Sequence, residues 1–314
     1  TSEYFGNSAT WEDGKWIYQA LTHAHIPVDP LDEEFLKTED LGRYKVIYVT
    51  GSHIEKAAAD KLARWVEEGG FLYTSGGGLA RDEANEPLIA FQPVLGLKGR
   101  SEPELWGSVS RYGATGLAGI GKKIEPPDGA SVAGRKGLEG TFPLAVGREA
   151  LDPAAGTEIL ATYSDGKPAV TRHVHGKGKV YVVGFYAGLE YSADILGQAY
   201  DMSKGFRDDK RQFVSVAANE AGVRPVVDAS HPVVEGVLLR NPASGKHAAV
   251  LMNWAYQGRQ HVALDEVTVT IRGAGVPTVV TSLAEGRNLP FEIEGDSIVV
   301  PLDRLTEGDI LRIE

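Results

Sequence analysis

Tyr44-Lys45-Val46-Ile47-Tyr48-Val49-Thr50-Gly51, an amphipathic segment, and then Phe71-Leu72-Tyr73-Thr74-Ser75 running into Gly76-Gly77-Gly78 decide the fold of this chain. Both apolar runs are of strand length. Between them Ile54, Ala58, Leu62, Trp65 and Val66 recur at the helical period, while Glu55, Lys56, Asp60, Lys61, Arg64, Glu67 and Glu68 take the other faces. Strand, helix, strand is a βαβ unit, whose crossover is right-handed and whose strands are parallel. Such a sheet needs helices on its faces, and it places ligands and chemistry beyond the carboxyl ends of its strands. The residues at those ends are Ser52 and His53 after the first strand, and Ser75, Gly76, Gly77, Arg81, Asp82 and Glu83 after the second.

Upstream, residues 15–25 carry Trp16, Ile17, Ala20, Leu21 and Ala24 on one helical face, and Pro27 ends that helix because its ring cannot continue the hydrogen-bond ladder. Residues 32–36 form a short helical turn. A complete doubly wound domain opens with a buried apolar strand, and none precedes the first helix, so either the domain borrows a strand or the chain is cut from something longer.

Downstream, residues 95–153 are irregular and glycine-rich, a β-rich insertion with Pro126-Pro127-Asp128-Gly129 as a turn. Regular patterning returns with a strand over 158–163, the hairpin turn Asp165-Gly166 and a returning strand over 168–173. The turn Gly176-Lys177-Gly178 then leads into an almost wholly apolar strand over 179–185. A helix over 208–221, with Phe213, Val214, Ala217 and Ala221 inward, covers the sheet. The expectation is a mainly parallel sheet containing 46–50, 71–75 and 180–184, with the antiparallel hairpin at one edge. Gly222-Val223-Arg224-Pro225 and Ala229-Ser230-His231-Pro232 mark a boundary, beyond which short strands punctuated by turns give a small C-terminal antiparallel β-sandwich. In a chain of 314 residues this divides into an α/β domain over 1–225 and a β-sandwich domain over 226–314.

Composition narrows the function. The chain has no cysteine, which removes disulfides, thiolate metal sites and a cysteine nucleophile together. Its net charge of −11 opposes a nucleic-acid groove or an anionic membrane surface, since both need clustered Lys and Arg. No apolar run is long enough to cross a bilayer as a helix. No cofactor is expected. A neutral or polar small molecule, or another protein, is the partner that fits.

Ile26-Pro27-Val28-Asp29, Tyr44-Lys45-Val46-Ile47-Tyr48-Val49 and Leu62-Ala63-Arg64-Trp65-Val66-Glu67-Glu68-Gly69-Gly70 carry a family resemblance. Together with Asp165-Gly166-Lys167-Pro168-Ala169-Val170 and Gly176-Lys177-Gly178-Lys179-Val180, they resemble the class I glutamine amidotransferase-like domain that is the trimerisation domain of family 42 β-galactosidases. The resemblance runs over residues 4–222 and continues into a segment similar to the small β-domain that follows in those enzymes. It implies a flavodoxin-like, doubly wound α/β fold and a homo-oligomer. It also implies an upstream catalytic barrel bearing the catalytic carboxylates, which this chain is too short to contain.

An amidotransferase of this fold needs a cysteine nucleophile at a strand-to-helix elbow, with a histidine and an acid from a later strand. Ser75 is the side chain at that elbow, with Gly77 two residues after it and Tyr73 two before, so a Gly-x-Ser-x-Gly turn is half present. The later strand ends in Gly184-Phe185-Tyr186-Ala187-Gly188-Leu189-Glu190, where the resemblance implies a His-Pro-Glu type ending, and no histidine stands there. No catalytic residue is assigned. The candidate pocket is Ser52, His53, Ser75, Gly76, Gly77, Arg81, Asp82, Glu83, Tyr186 and Glu190, with Arg81 and Asp82 expected within reach of the loop after Phe185, near Glu190.

Asn85 belongs to the same polar cluster, and Ser52 is the expected N-cap of the helix that follows it. His173 and His175 share one face of a strand, a spacing open to a metal, but lack a third ligand, and no metal is assigned. Trp106, Tyr112, Tyr186, Tyr191, Trp254 and Tyr256 are available as aromatic platforms for a sugar. Three readings stand. The chain is a non-catalytic accessory and oligomerisation region of a carbohydrate-active protein, or a stand-alone hydrolase using Ser75 or the 81–85 cluster, or a sugar-binding module.

Overall fold

A computed structural model of the protein describes residues 8–106, 126–196, 202–203 and 206–314. The chain divides into two compact units, the first made of Thr1–Ala20, Asp29–Ala193 and Arg207–Val223, the second of Leu21–Val28, Asp194–Phe206 and Arg224–Glu314. Up to residue 220 the elements begin with α1 (Ser8–His23), α2 (Glu33–Thr38), β1 (Val46–Val49), α3 (Lys56–Glu68), β2 (Phe71–Ser75) and the single turn α4 (Gln92–Leu95). Short strands follow: β3 (Leu97–Arg100), β4 (Glu104–Leu105), β5 (Ser131–Gly134), β6 (Thr141–Pro143), β7 (Gly147–Arg148) and β8 (Leu151–Pro153). The series closes with β9 (Glu158–Tyr163), β10 (Pro168–His175), β11 (Gly178–Val183), α5 (Ala187–Leu196) and α6 (Asp208–Glu220).

The first unit is mixed α/β. Seven of its described strands form one sheet in the order β1-β2-β11-β10-β9-β5-β6. β1 and β2 are adjacent and parallel, Val46 opposite Phe71, as the βαβ reading requires, and β11 pairs parallel with β2 on its other side, Lys179 opposite Phe71. The remaining pairs are antiparallel, so the sheet is not mainly parallel as expected. Loop length is the cause: β9, β10 and β11 follow one another through tight turns at Asp165-Gly166 and Gly176-Lys177, and a tight turn can only reverse a strand, whereas a parallel neighbour needs a long crossover. Nor does the hairpin lie at an edge, because β5 and β6, from the glycine-rich insertion, continue the sheet beyond β9.

α3 forms because Ala58, Ala59, Leu62, Trp65 and Val66 make one apolar face, all of it buried. Burying the three large side chains contributes roughly 1.5–3 kcal/mol each. The helix stops at Gly69, whose φ of 130° suits glycine alone, and Gly70 follows because a Cβ there would lie 2.2 Å from the Trp65 ring. Ser52 does not cap α3, contrary to expectation. The N-cap is Glu55, and the Lys56 N–H is taken by Glu83 Oε2 at 2.9 Å.

Alternation along the strands puts Ile47, Leu72 and Val180 on the α3 face and Tyr48, Tyr73 and Tyr181 on the other, where the three tyrosines stand in register. The Tyr48 hydroxyl donates to Val214 O at 2.9 Å and that of Tyr73 to Phe213 O at 3.2 Å, both on α6. Phe213 packs edge-on against Phe142 with ring centres 5.1 Å apart. Helices therefore cover both faces of the parallel strands, which is why Val180, Tyr181, Val182 and Val183 run apolar without a break and are all fully buried.

The second unit contains β12 (Val227–Ala229), β13 (Val234–Arg240), β14 (His247–Asn253), the small hairpin β15 (Tyr256–Gln257) and β16 (Gln260–His261), and β17 (Leu264–Arg272). It ends with β18 (Val280–Ser282), β19 (Arg287–Leu289), β20 (Glu292–Glu294), β21 (Ser297–Leu305) and β22 (Gly308–Ile313). Two antiparallel sheets, β12-β17-β21-β20 and β13-β14-β22-β18-β19, share one apolar core that includes Val234, Leu251, Val269, Val300 and Leu311. Along β17 the buried residues are Leu264, Val267, Val269 and Ile271, and the last three keep the period of two that a half-buried strand imposes.

Candidate functional site

At the carboxyl end of β2 the chain passes from Ser75 through Gly76 and Gly77, at φ 46° and 81°. A Cβ on Gly76 would lie 2.4 Å from the Tyr186 ring, and one on Gly77 would lie 2.6 Å from Pro103. The glycines thus admit the protein's own side chains. Ser75, 1% exposed, donates from Oγ to Asp13 Oδ2 at 2.6 Å, and Asp13 Oδ1 accepts the Leu189 N–H at 3.0 Å. Burial pushes the Asp13 carboxyl from 3.8 up to about 7, and its hydrogen bonds from Ser75, Leu189 and Gly188 offset only part of that rise. A serine nucleophile needs a base that can take its proton. The Asp13 carboxylate could take that proton, but among the described residues no imidazole bonds to Ser75, and a hydroxyl buried this deeply is not open to a substrate.

Beside this pair, fully buried Glu149 accepts the Gly77 N–H at 3.1 Å and the Arg100 Nε–H at 2.7 Å, while Arg100 donates to Gly78 O at 2.8 Å. A buried ion pair persists when hydrogen bonds satisfy both members, as they do here. Its effect is to clamp the glycine turn shut. Asp13, Arg100 and Glu149 escaped the sequence reading because one sits in the first helix and the other two in the irregular insertion. No local motif marked any of them.

Tyr186 and Glu190 are fully buried. The Glu190 carboxylate accepts the N–H groups of Ala145 at 2.9 Å and Val146 at 2.8 Å, and its backbone oxygen accepts from Lys210 Nζ at 2.8 Å. The contacts that Arg81 and Asp82 make lie elsewhere. Asp82 Oδ1 accepts the N–H groups of Ala84 and Glu86 at 2.9 Å each, and Oδ2 pairs with Lys56 Nζ at 2.6 Å. Hydrogen bonding from the Lys56 ammonium holds the Asp82 carboxyl below its usual range. Arg81 donates to Asn85 O at 2.9 Å and pairs with Glu102. The cluster closes its own turn and, through Glu83, the start of α3.

Ser52 Oγ lies 2.9 Å from His53 Nδ1, and His53 Nε2 lies 2.8 Å from Asn85 Oδ1. Hydroxyl, imidazole and amide in that order can activate a nucleophile. Here Ser52 is 6% exposed, which closes its hydroxyl to a substrate. His173 Nδ1 lies 3.0 Å from Thr157 Oγ1, its ring rests on Gly96, and burial lowers its pKa. Among the described residues no three His, Asp or Glu side chains converge as a metal site.

A cleft of about 70 Å³ opens beside the Arg100–Glu149 pair, lined by Ser101, Glu104, Arg148, Glu149, Ala150, Tyr163 and Lys167. Small-molecule sites begin at about 300 Å³, so this one suits water or an ion better than a sugar ring. Of the aromatic residues available as sugar platforms, Trp106, Tyr186 and Tyr191 are buried in the core, and Tyr112 lies outside the described residues. Trp254 is 40% exposed and Tyr256 is half-buried.

No family model matches the chain. It is 25% identical over 227 residues to the β-galactosidase LacZ of Heyndrickxia coagulans, covering 69% of this chain and 27% of that protein. It is 27% identical over 261 residues to the β-galactosidase BglY of Alicyclobacillus acidocaldarius, covering 79% of this chain and 32% of that protein. The chain thus spans less than a third of the length of each of these relatives. A solved GH42 β-galactosidase from G. stearothermophilus is similar in fold, with a TM-score of 0.60 and 18% identity over 95% of this chain and 35% of that one. The chain is related to family 42 β-galactosidases over part of their length.

Proposed function

We propose that this chain is a non-catalytic accessory and oligomerisation region of a β-galactosidase-like glycoside hydrolase. In this reading residues 1–225 are the amidotransferase-like, flavodoxin-type domain and residues 226–314 the small β-domain that follows it. The observation that carries the reading is the filled elbow: Asp13 occupies Ser75, Tyr186 and Pro103 occupy the glycine turn, and the Arg100–Glu149 pair closes it. A substrate carbonyl has no room there. The partial span of the β-galactosidase relatives supports it too, since the catalytic carboxylates of the parent then belong to an upstream barrel. Its partners are that barrel and further copies of itself.

Glycoside hydrolysis needs two carboxylates flanking the bond, one of them able to protonate the leaving group. Glu149 is tied to Arg100, Asp82 to Lys56 and Glu190 to two backbone N–H groups. Asp13 does have a raised pKa, but it is buried against Ser75. The purified chain is therefore expected to hydrolyse neither aryl β-galactosides nor glutamine, and to self-associate in sedimentation velocity. Turnover that disappears in Ser75→Ala or Glu190→Gln while the far-UV spectrum is unchanged would overturn this reading.

A further inference from the structure

In the second unit, burial alternates as the chain leaves β14: Asn253 and Ala255 point inward at 1% and 0% exposure, while Trp254 is 40% exposed and Tyr256 is half-buried. An exposed tryptophan is a large apolar surface left in water, and this one is also fixed. Its Nε1–H donates to Glu235 Oε2 at 2.8 Å, which holds the indole beside a carboxylate. Tyr256 is paired across the β15–β16 hairpin with exposed His261, their ring centres 4.0 Å apart, and exposed Gln257 faces exposed Gln260 at the tip.

The base of the hairpin is anchored. Asn253 Nδ2 donates to Val262 O at 2.8 Å and to Leu305 O at 3.3 Å, and Asn253 Oδ1 accepts the Ala255 N–H at 2.9 Å. Rings held in place before a ligand arrives lose little freedom on binding it.

We infer that Trp254, Tyr256 and His261, with Glu235, Gln257 and Gln260 around them, form a binding site for an uncharged pyranose residue of an oligosaccharide. A pyranose presents a face of C–H groups that packs on an aromatic ring, and hydroxyls at its rim that need a carboxylate, amides or an imidazole as partners. Both kinds of group are present on one exposed segment. The net charge of −11 and the carboxylate beside the indole disfavour uronic or sulfated sugars. The site stands apart from the accessory role, because its test reads sugar affinity and not assembly or turnover.

The test is titration of the full chain with β-1,4-galactotetraose, lactose, xylotetraose and cellotetraose, followed by saturation-transfer NMR and calorimetry. Saturable binding of at least one of them is expected, weakened at least tenfold in Trp254→Ala and less in Trp254→Phe. Glu235→Gln should weaken it by a smaller factor. An unchanged thermal transition in each variant confirms that the unit is folded. No saturable binding by any of the four, or binding that Trp254→Ala leaves intact, would overturn the site. So would a self-association that Trp254→Ala abolishes in a chain that binds no sugar.

Discussion

Replacing Asp13 by Asn is expected to stabilise the first unit increasingly as the pH rises from acid to neutral. Burial holds the Asp13 carboxyl at about 7, against 3.8 for an exposed one, so the native state keeps a proton that the unfolded chain releases between those values. The stability this group contributes is complete below 3.8 and is lost as pH rises to about 7, beyond which both states are ionised and the loss is constant. A difference of about three pKa units corresponds to ~4 kcal/mol. Asn is neutral like the protonated carboxyl: its carbonyl can accept the Leu189 N–H, and its amide can donate to Ser75 Oγ once the serine hydroxyl turns from donor to acceptor. The gain over the parent chain is therefore ~1 kcal/mol at pH 4.5 and ~4 kcal/mol at pH 8. Urea unfolding followed by tryptophan fluorescence measures it, because four of the five tryptophans, Trp11, Trp16, Trp65 and Trp106, lie in the first unit. An equal gain at the two pH values, or a loss at both, would refute a carboxyl kept protonated by burial.

Asp82→Asn works in the opposite direction. The native carboxyl is held below 3.8 by Lys56, so its contribution is present above that value and disappears as pH falls through the lower native pKa. The variant should show a lower urea midpoint at pH 7, and the two chains should converge in strong acid; a difference that persists there removes the ion pair as its cause. Gly70→Ala places a methyl group 2.2 Å from the Trp65 ring and should cost ~1–3 kcal/mol in the same assay. An unchanged midpoint would show that the Trp65 ring does not lie as close over Gly70 as the geometry requires.

Much of the parallel core was legible because its signals are local. The period of 3.6 in α3, the apolar runs of β2 and β11 and the crossover rule were enough to put β1, β2 and β11 in one sheet, though not to make β2 and β11 neighbours. The same turns that marked the β9–β10 hairpin also dictated antiparallel pairing, and weighing them against the βαβ unit would have given a mixed sheet. The extension through β5 and β6 was not readable, since strands of four and three residues in a glycine-rich stretch carry too little periodicity to announce a neighbour. Within the site, Ser75 and its glycine turn were visible as a position, but what fills the position was not.

The sequence by itself determined the βαβ unit, the absence of cysteine chemistry and the antiparallel strands that follow residue 226. Only the tertiary structure decided that Ser75 meets Asp13, 62 residues earlier, and that Glu149 meets Arg100, 49 residues earlier. It also decided that Arg81, Asp82 and Glu83 close a turn and a helix end. The reason is physical. Periodicity and turn chemistry act over a few residues and leave a trace in the local pattern, whereas the partner of a buried polar group is chosen by which segments packing brings together, and no short stretch of sequence records that choice.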